Sequence, residues 1–240
     1  MIVQACLNGA RPADFHPKLP FDASAVARDA VQCIDAGAAE LHVHPRDANG
    51  LESLFAVDKT VAALRAACPG TLIGVSTGEW IEQDRDRTRA ALESWTVLPD
   101  YASVNLCEPD APEIMRILAS RGVGIEAGLA TAEDAERFVG LRGQPPVLRV
   151  LIEIEEQEAG PAFAATDRIS KILDRNVVGK PILLHGIDAM MWPLAEHAFE
   201  RRWSTRIGLE DGRLLPDGQM TPDNAELVRH AVALRAGSAG

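Results

Sequence analysis

The sequence has no surplus of basic charge: 24 lysines and arginines face 35 aspartates and glutamates, a formal net charge of −11. Non-specific nucleic-acid binding needs a basic footprint, which this balance excludes, although a locally positive site could still take an anionic substrate. There is no apolar run of transmembrane length, and Met1–Ala5 carries no basic segment of the kind that opens a secretory leader. A cytoplasmic protein is the expectation. The four cysteines, Cys6, Cys33, Cys68 and Cys107, form no CxxC pair. They read as small buried residues of a reducing compartment, without a base motif that would make one a nucleophile. Linkers, repeats and low-complexity tracts are also missing, so residues 1–240 are expected to form one domain. With 47% hydrophobic and 25% charged residues, the chain has enough apolar material for a sizeable core.

Short apolar runs alternate with longer segments of helical periodicity. Strands are expected at Ile2–Leu7, Glu40–His44, Leu72–Val75, Tyr101–Asn105, Val123–Glu126, Val147–Ile154, Pro181–Leu184 and Thr205–Leu209. Helices are expected after each, the first capped by Asp22 and stopped by Gly37, the last spanning Pro222–Leu234. Gly140–Pro146 reads as a connection, and the Gly237–Gly240 tail as frayed. Alternation of this kind implies a parallel sheet, and eight units imply a single (β/α)8 TIM barrel rather than its rival, an open α/β sheet. In such a barrel the interior away from the site is expected to be branched and apolar, and functional residues sit at the C-terminal strand ends.

Those ends carry a polar set. In Leu41-His42-Val43-His44-Pro45-Arg46-Asp47 two histidines lie one residue apart on a strand, so both side chains point the same way and can chelate one metal ion. Glu210, after the eighth strand, can complete a three-ligand set that leaves a position open for substrate. Asp47 is either an orienting partner for a ligand histidine or a turn residue before Asn49-Gly50. Arg206 can hold a carboxylate and Asp211 can act as a general base; the alternatives are a surface charge and the start of an Asp-Gly turn. Asn8, Ser76, Thr77, Ser103, Asn105 and Glu126 fall at other strand ends and are candidate substrate contacts. Glu153 and Glu155 share a face and either enter the site or line a solvent edge; His185 has the same two readings.

Several segments together resemble the β-keto acid cleavage enzymes. They are Leu7-Asn8-Gly9-Ala10, His16-Pro17-Lys18-Leu19-Pro20, Ala36-Gly37-Ala38-Ala39 through His42-Val43-His44-Pro45-Arg46-Asp47 with Gly50, and Val75-Ser76-Thr77-Gly78. Towards the C-terminus come Ile207-Gly208-Leu209-Glu210-Asp211, Leu215-Pro216-Asp217-Gly218 and Asn224-Ala225-Glu226-Leu227-Val228. The resemblance implies an oligomeric (β/α)8 barrel, dimer or tetramer, with one Zn²⁺ per chain on His42, His44 and Glu210. It implies proton abstraction by Arg206 and Asp211, substrate contact by Ser76, and a glutamate, Glu126, ending the fifth strand. The implied reaction joins a β-keto acid and acetyl-CoA in a Claisen-like condensation and cleavage, giving an acetoacetate-type product and a new CoA ester. The sequence departs from the family pattern at Leu151–Glu156, where members carry a glycine-rich segment, at His185-Gly186-Ile187-Asp188, and at Arg11, where some members have glutamate. A CoA-independent zinc hydrolase or aldolase, or a non-catalytic barrel that keeps its metal, are the competing readings.

Overall fold

The computed structural model describes residues 1–176 and 178–237; of the tail expected to be frayed, Gly237 closes the last helix, and residues 238–240 lie outside the described residues. Eight parallel strands close into a barrel in chain order. They are β1 (Val3–Cys6), β2 (Glu40–Val43), β3 (Leu72–Ser76), β4 (Tyr101–Asn105), β5 (Gly124–Leu129), β6 (Arg149–Ile154), β7 (Ile182–Gly186) and β8 (Ser204–Ile207). The helices that follow them are α1 (Ala23–Asp35), α2 (Val57–Ala67), α3 (Arg85–Ser94), α4 (Ala111–Ser120), α5 (Ala132–Gly140), α6 (Ala159–Arg175), α7 (Met191–Glu200) and α8 (Asn224–Gly237). The ring closes where β1 pairs with β8, Val3 opposite Thr205 and Gln4 opposite Arg206. The sequence therefore specifies a (β/α)8 barrel. Among the described residues no helix is long and apolar enough to cross a membrane.

Local chemistry sets the helix ends. Asp22 caps α1 by accepting from the Ala25 amide, and Thr131 with Asp134 forms a reciprocal capping box at α5. Strand alternation then divides the core. Leu41, Val43, Val75, Val104, Ile125, Val150, Ile152 and Ile207 belong to the apolar layer between strands and helices. The other strand face is not the branched apolar filling expected. Gln4 donates to Glu40 and to the Tyr101 hydroxyl at 2.8 and 2.9 Å, and Tyr101 donates to the Leu41 carbonyl at 2.8 Å. Arg149 pairs with both Glu40 and Glu126. Ions drawn from three strands thus neutralise one another where water is excluded. Space for the Tyr101 ring exists because residue 74 is glycine: a Cβ there would lie 2.0 Å from the ring.

Two expectations need correction. The fifth strand does not end at Glu126 but runs on to Leu129. Glu126 is therefore a fully buried barrel-interior residue, held by Arg149 at 2.5 Å, and not a group at the mouth. Cys6, Cys33 and Cys68 are buried as expected, whereas Cys107 is exposed.

Candidate metal centre and the barrel mouth

His42 is on β2 and His44 follows it, and their rings meet edge to face at 5.3 Å. Glu210 arrives from the opposite side of the closing seam. After β8 the chain turns sharply, with Asp211 and Gly212 amides both donating to the Gly208 carbonyl at 2.9 and 3.0 Å. Gly208 must be glycine, because a Cβ there would sit 1.8 Å from the Cys6 carbonyl oxygen. This turn explains how residues four apart can meet: Arg206 Nη2 lies 2.7 Å from Glu210 Oε1. Glu210 Oε1 is also 3.3 Å from His44 Nε2 and 3.9 Å from His42 Nε2. One ligand atom from each of His42, His44 and Glu210 falls within 4.8 Å of the others, so the three could hold a metal ion. The donor set of two imidazoles and one carboxylate suits zinc. Glu210 Oε2 and His42 Nδ1 are buried with no hydrogen-bond partner among the described residues, which leaves donor capacity unspent.

Electrostatics separates the two histidines. Burial lowers His42 to about 3, so its imidazole is neutral and ready to ligate. Burial opposes protonation of His44 too, but Glu210 and Glu52 outweigh it and raise that ring to about 9. Glu52 is the orienting carboxylate, with Oε2 at 2.7 Å from His44 Nδ1. Trp80 donates its indole N–H to the same oxygen at 3.3 Å and stacks on His44 with centroids 6.4 Å apart. Of the two readings of Asp47 the turn residue holds: its carboxylate accepts from the Asn49 and Leu51 amides. Asn8 takes a positioning part, because its side chain exchanges two hydrogen bonds with the His44 backbone, at 2.9 and 3.0 Å.

A cavity of about 410 Å³ opens over this cluster. Its wall includes Ser76, Ser103, Asn105, Arg206 and Glu210 from the expected set, with Arg11, Trp80, Glu153 and Glu155 beside them. Thr77 is turned to other work: its hydroxyl donates to the Ser103 carbonyl at 2.7 Å. Arg206 is buried, not a surface charge, and reaches Glu153 at 3.1 Å and Asp211 at 3.5 Å besides Glu210. Burial works against charge on Glu210, but Arg206 and then the histidines hold its carboxyl well below the usual range. Asp211 is 0% exposed. Its Oδ1 lies 3.1 Å from His185 Nδ1, and His185 Nε2 lies 2.8 Å from Glu153 Oε2. Both open readings of β6 and β7 therefore resolve towards the site. Arg11 clamps the turn from outside, donating to the Glu210 and Asp211 carbonyls and to Asp188. A larger cavity, about 530 Å³, lies at the N-terminal end of the strands around Lys180 and Trp203 and contains none of these groups.

Fold and site together define a (β/α)8 barrel with a candidate two-histidine, one-carboxylate metal centre at the C-terminal mouth. The chain belongs to the beta-keto acid cleavage enzyme family, whose model matches residues 1–167 and 170–238, and so to enzymes that cleave β-keto acids. It is 23% identical over 252 residues to the 3-keto-5-aminohexanoate cleavage enzyme of Fusobacterium nucleatum, covering 98% of this chain and 90% of the relative. A protein of the same name from Acetoanaerobium sticklandii is 23% identical, with 98% and 91% covered. Among solved structures, ObcA in a ternary complex with C4-CoA adduct and oxalate superposes with a TM-score of 0.74 at 18% identity, over 93% of this chain. This chain spans 65% of the length of that ObcA chain. A type I 3-dehydroquinate dehydratase from Clostridium difficile, at 14% identity and a TM-score of 0.67 over 98% of this chain and 92% of that one, shares the fold.

Proposed function

We propose that this chain is a zinc-dependent β-keto acid cleavage enzyme that uses acetyl-CoA as co-substrate. It would condense the two and release an acetoacetate-type product and a new CoA ester. The observation that carries the reading is the His42–His44–Glu210 triangle, its histidines buried and its glutamate partly so, open to a cavity and flanked by Arg206. Bound there, zinc would supply Lewis-acid polarisation of a keto oxygen. Asn8 and Glu52 hold His44 in register for that task. Arg206, buried among three carboxylates, helps keep Glu153 and Glu210 ionised and fixes the positions of all three. Ser76, Ser103 and Asn105 line the wall opposite Arg206 and offer hydroxyl and amide contacts to a small polar substrate. Arg206 and Asp211 belong to the proton-abstracting unit.

CoA use draws support from ObcA, a barrel of the same fold solved with a C4-CoA adduct and oxalate, and with oxaloacetate. Glu153 and Glu155 on the cavity wall favour a second reading, a CoA-independent reaction, because they would repel an anionic co-substrate. Metal analysis of the purified protein, paired with mass spectrometry of a β-keto acid panel plus acetyl-CoA, tests both. Near one zinc per chain and a new CoA ester is the expected result. Zinc with keto acid consumed but no CoA product would select the second reading, and absence of metal would overturn the proposed centre.

A further inference from the structure

The candidate ligands reach the metal centre along two separate stretches of backbone, and the space between those stretches has to be fixed. One stretch is Leu7-Asn8, beyond the end of β1. The Leu7 amide donates to the His42 carbonyl at 3.1 Å, and Asn8 exchanges two hydrogen bonds with the His44 backbone. The other stretch is the turn after β8, where Leu209 immediately precedes Glu210. A single side chain bonds both. Asn224, the first residue of α8, is fully buried. Its Oδ1 accepts from the Leu209 amide at 2.6 Å, and its Nδ2 donates to the Leu7 carbonyl at 2.8 Å. Nδ2 also donates to Asp29 Oδ2 on α1 at 2.7 Å, so both amide hydrogens are used.

These partners leave the amide one orientation. The Leu209 N–H can only donate and the Leu7 carbonyl can only accept, so a flipped amide would meet two like groups. The turn can come this close because residue 208 is glycine: a Cβ there would lie 3.0 Å from Asn224 Oδ1. Asp223 delivers α8 to the spot by capping it, accepting from the Glu226 amide at 2.9 Å. Burial raises Asp29 to about 7, against the pull of the Asn224 bond. Charged or neutral, Asp29 keeps an oxygen that can accept from Nδ2, so the bond does not depend on its charge.

We propose that Asn224 is the positioning residue that sets the gap between Glu210 and the two histidines, with Asp29 steadying its amide. Asn224 would touch neither ion nor substrate; it acts through the Leu209 amide on one side and the Leu7-Asn8 segment on the other. This role rests on the metal-centre reading above and adds to it the part that spaces the ligands. Truncating Asn224 strands a buried amide N–H and a buried carbonyl, and the Glu210 turn then moves to find other partners.

The test uses full-length protein with the N224A, N224D, D29N, N224D/D29N and T166A variants. Zinc affinity is measured by chelator competition, and ligand geometry by the visible absorption of the cobalt-loaded protein. N224A should raise the zinc Kd by about 10–100-fold and alter the cobalt spectrum. N224D can still accept from Leu209 but cannot donate to Leu7, and it sets two carboxylates face to face, so it should weaken zinc as well. The N224D/D29N pair restores a donor between the two positions and should recover part of that loss, while D29N alone stays within threefold of wild type. T166A removes a buried hydroxyl on α6 that donates to the Ala162 carbonyl at 3.0 Å, an element that carries none of these groups. It should lower the melting temperature and leave zinc affinity within threefold. If N224A is poorly folded, N224D and its pairing with D29N carry the test. Wild-type zinc affinity and cobalt spectrum in folded N224A would overturn the proposal, as would a loss of affinity in T166A equal to that in N224A. A double variant no better than N224D would remove Asp29 from it. A wild-type protein that binds neither zinc nor cobalt would fail at an earlier point, overturning the metal reading and this role with it.

Discussion

Replacing Glu52 with glutamine changes one charge behind the metal centre and little else. The amide is isosteric, and its carbonyl oxygen can still accept from the Trp80 indole, now 3.3 Å from Glu52 Oε2. What disappears is the charged partner 2.7 Å from His44 Nδ1. Loss of such a partner typically weakens metal binding by about 10–100-fold, roughly 1.4–2.7 kcal/mol. A second effect opposes it, because Glu52 also helps hold the proton that metal must displace from His44. Measuring zinc affinity by chelator competition across pH separates the two. The gap between wild type and E52Q should be smallest near neutrality and widest above about pH 9, where the His44 imidazole is neutral in the wild-type protein. D47N is the control and should bind as wild type, since Asp47 caps only its own turn. E52Q affinity within threefold of wild type at every pH would refute the argument.

Further outcomes follow from the same geometry. H42A should abolish zinc binding, measured by metal content, whereas D211N should keep the metal and lose turnover. Gly9 has φ +53° and its absent Cβ would lie 2.4 Å from Glu210 Cγ, so G9A should both displace a ligand and strain the backbone by about 1–2 kcal/mol. Lower zinc affinity and a lower melting temperature check that expectation. The folded-state value of His44 is raised, so its contribution to metal-free stability should be complete below about pH 6.5. That contribution should disappear as pH rises through about 9, while zinc uptake strengthens over the same window. Denaturant titrations of metal-free protein across that range test the sign.

The architecture and the histidine pair were legible because both depend on short-range periodicity: alternating elements for the barrel, a spacing of two for His42 and His44. Longer-range partners were harder to see. Glu52 orients His44 only because the chain folds back after Pro45, bridging Arg46 to Glu52 in antiparallel fashion. Asp47, closer in sequence to the ligands, offered that role beside a turn reading, and its carboxylate is consumed by the intervening turn. The expected fifth strand stopped at Glu126, two residues short of Gly128. In the fold it is a strand residue whose missing Cβ, 2.9 Å from Asn105 Oδ1, makes room for a neighbour. The network around His185 crosses from β6 through β7 to the turn after β8, a conjunction no local pattern encodes.

The closing seam has a consequence for how the protein comes into being. The histidines are on β2 and their carboxylate partner follows β8, while β1 bridges the two sides. A nascent chain therefore exposes two ligands long before the third is synthesised, and none of its intermediates with an open ring can offer the complete set. An ion bound by all three would act as a clasp on the most sequence-distant pairing in the molecule. Its grip would be felt in the rate at which the ring springs open rather than in the formation of any individual strand pair.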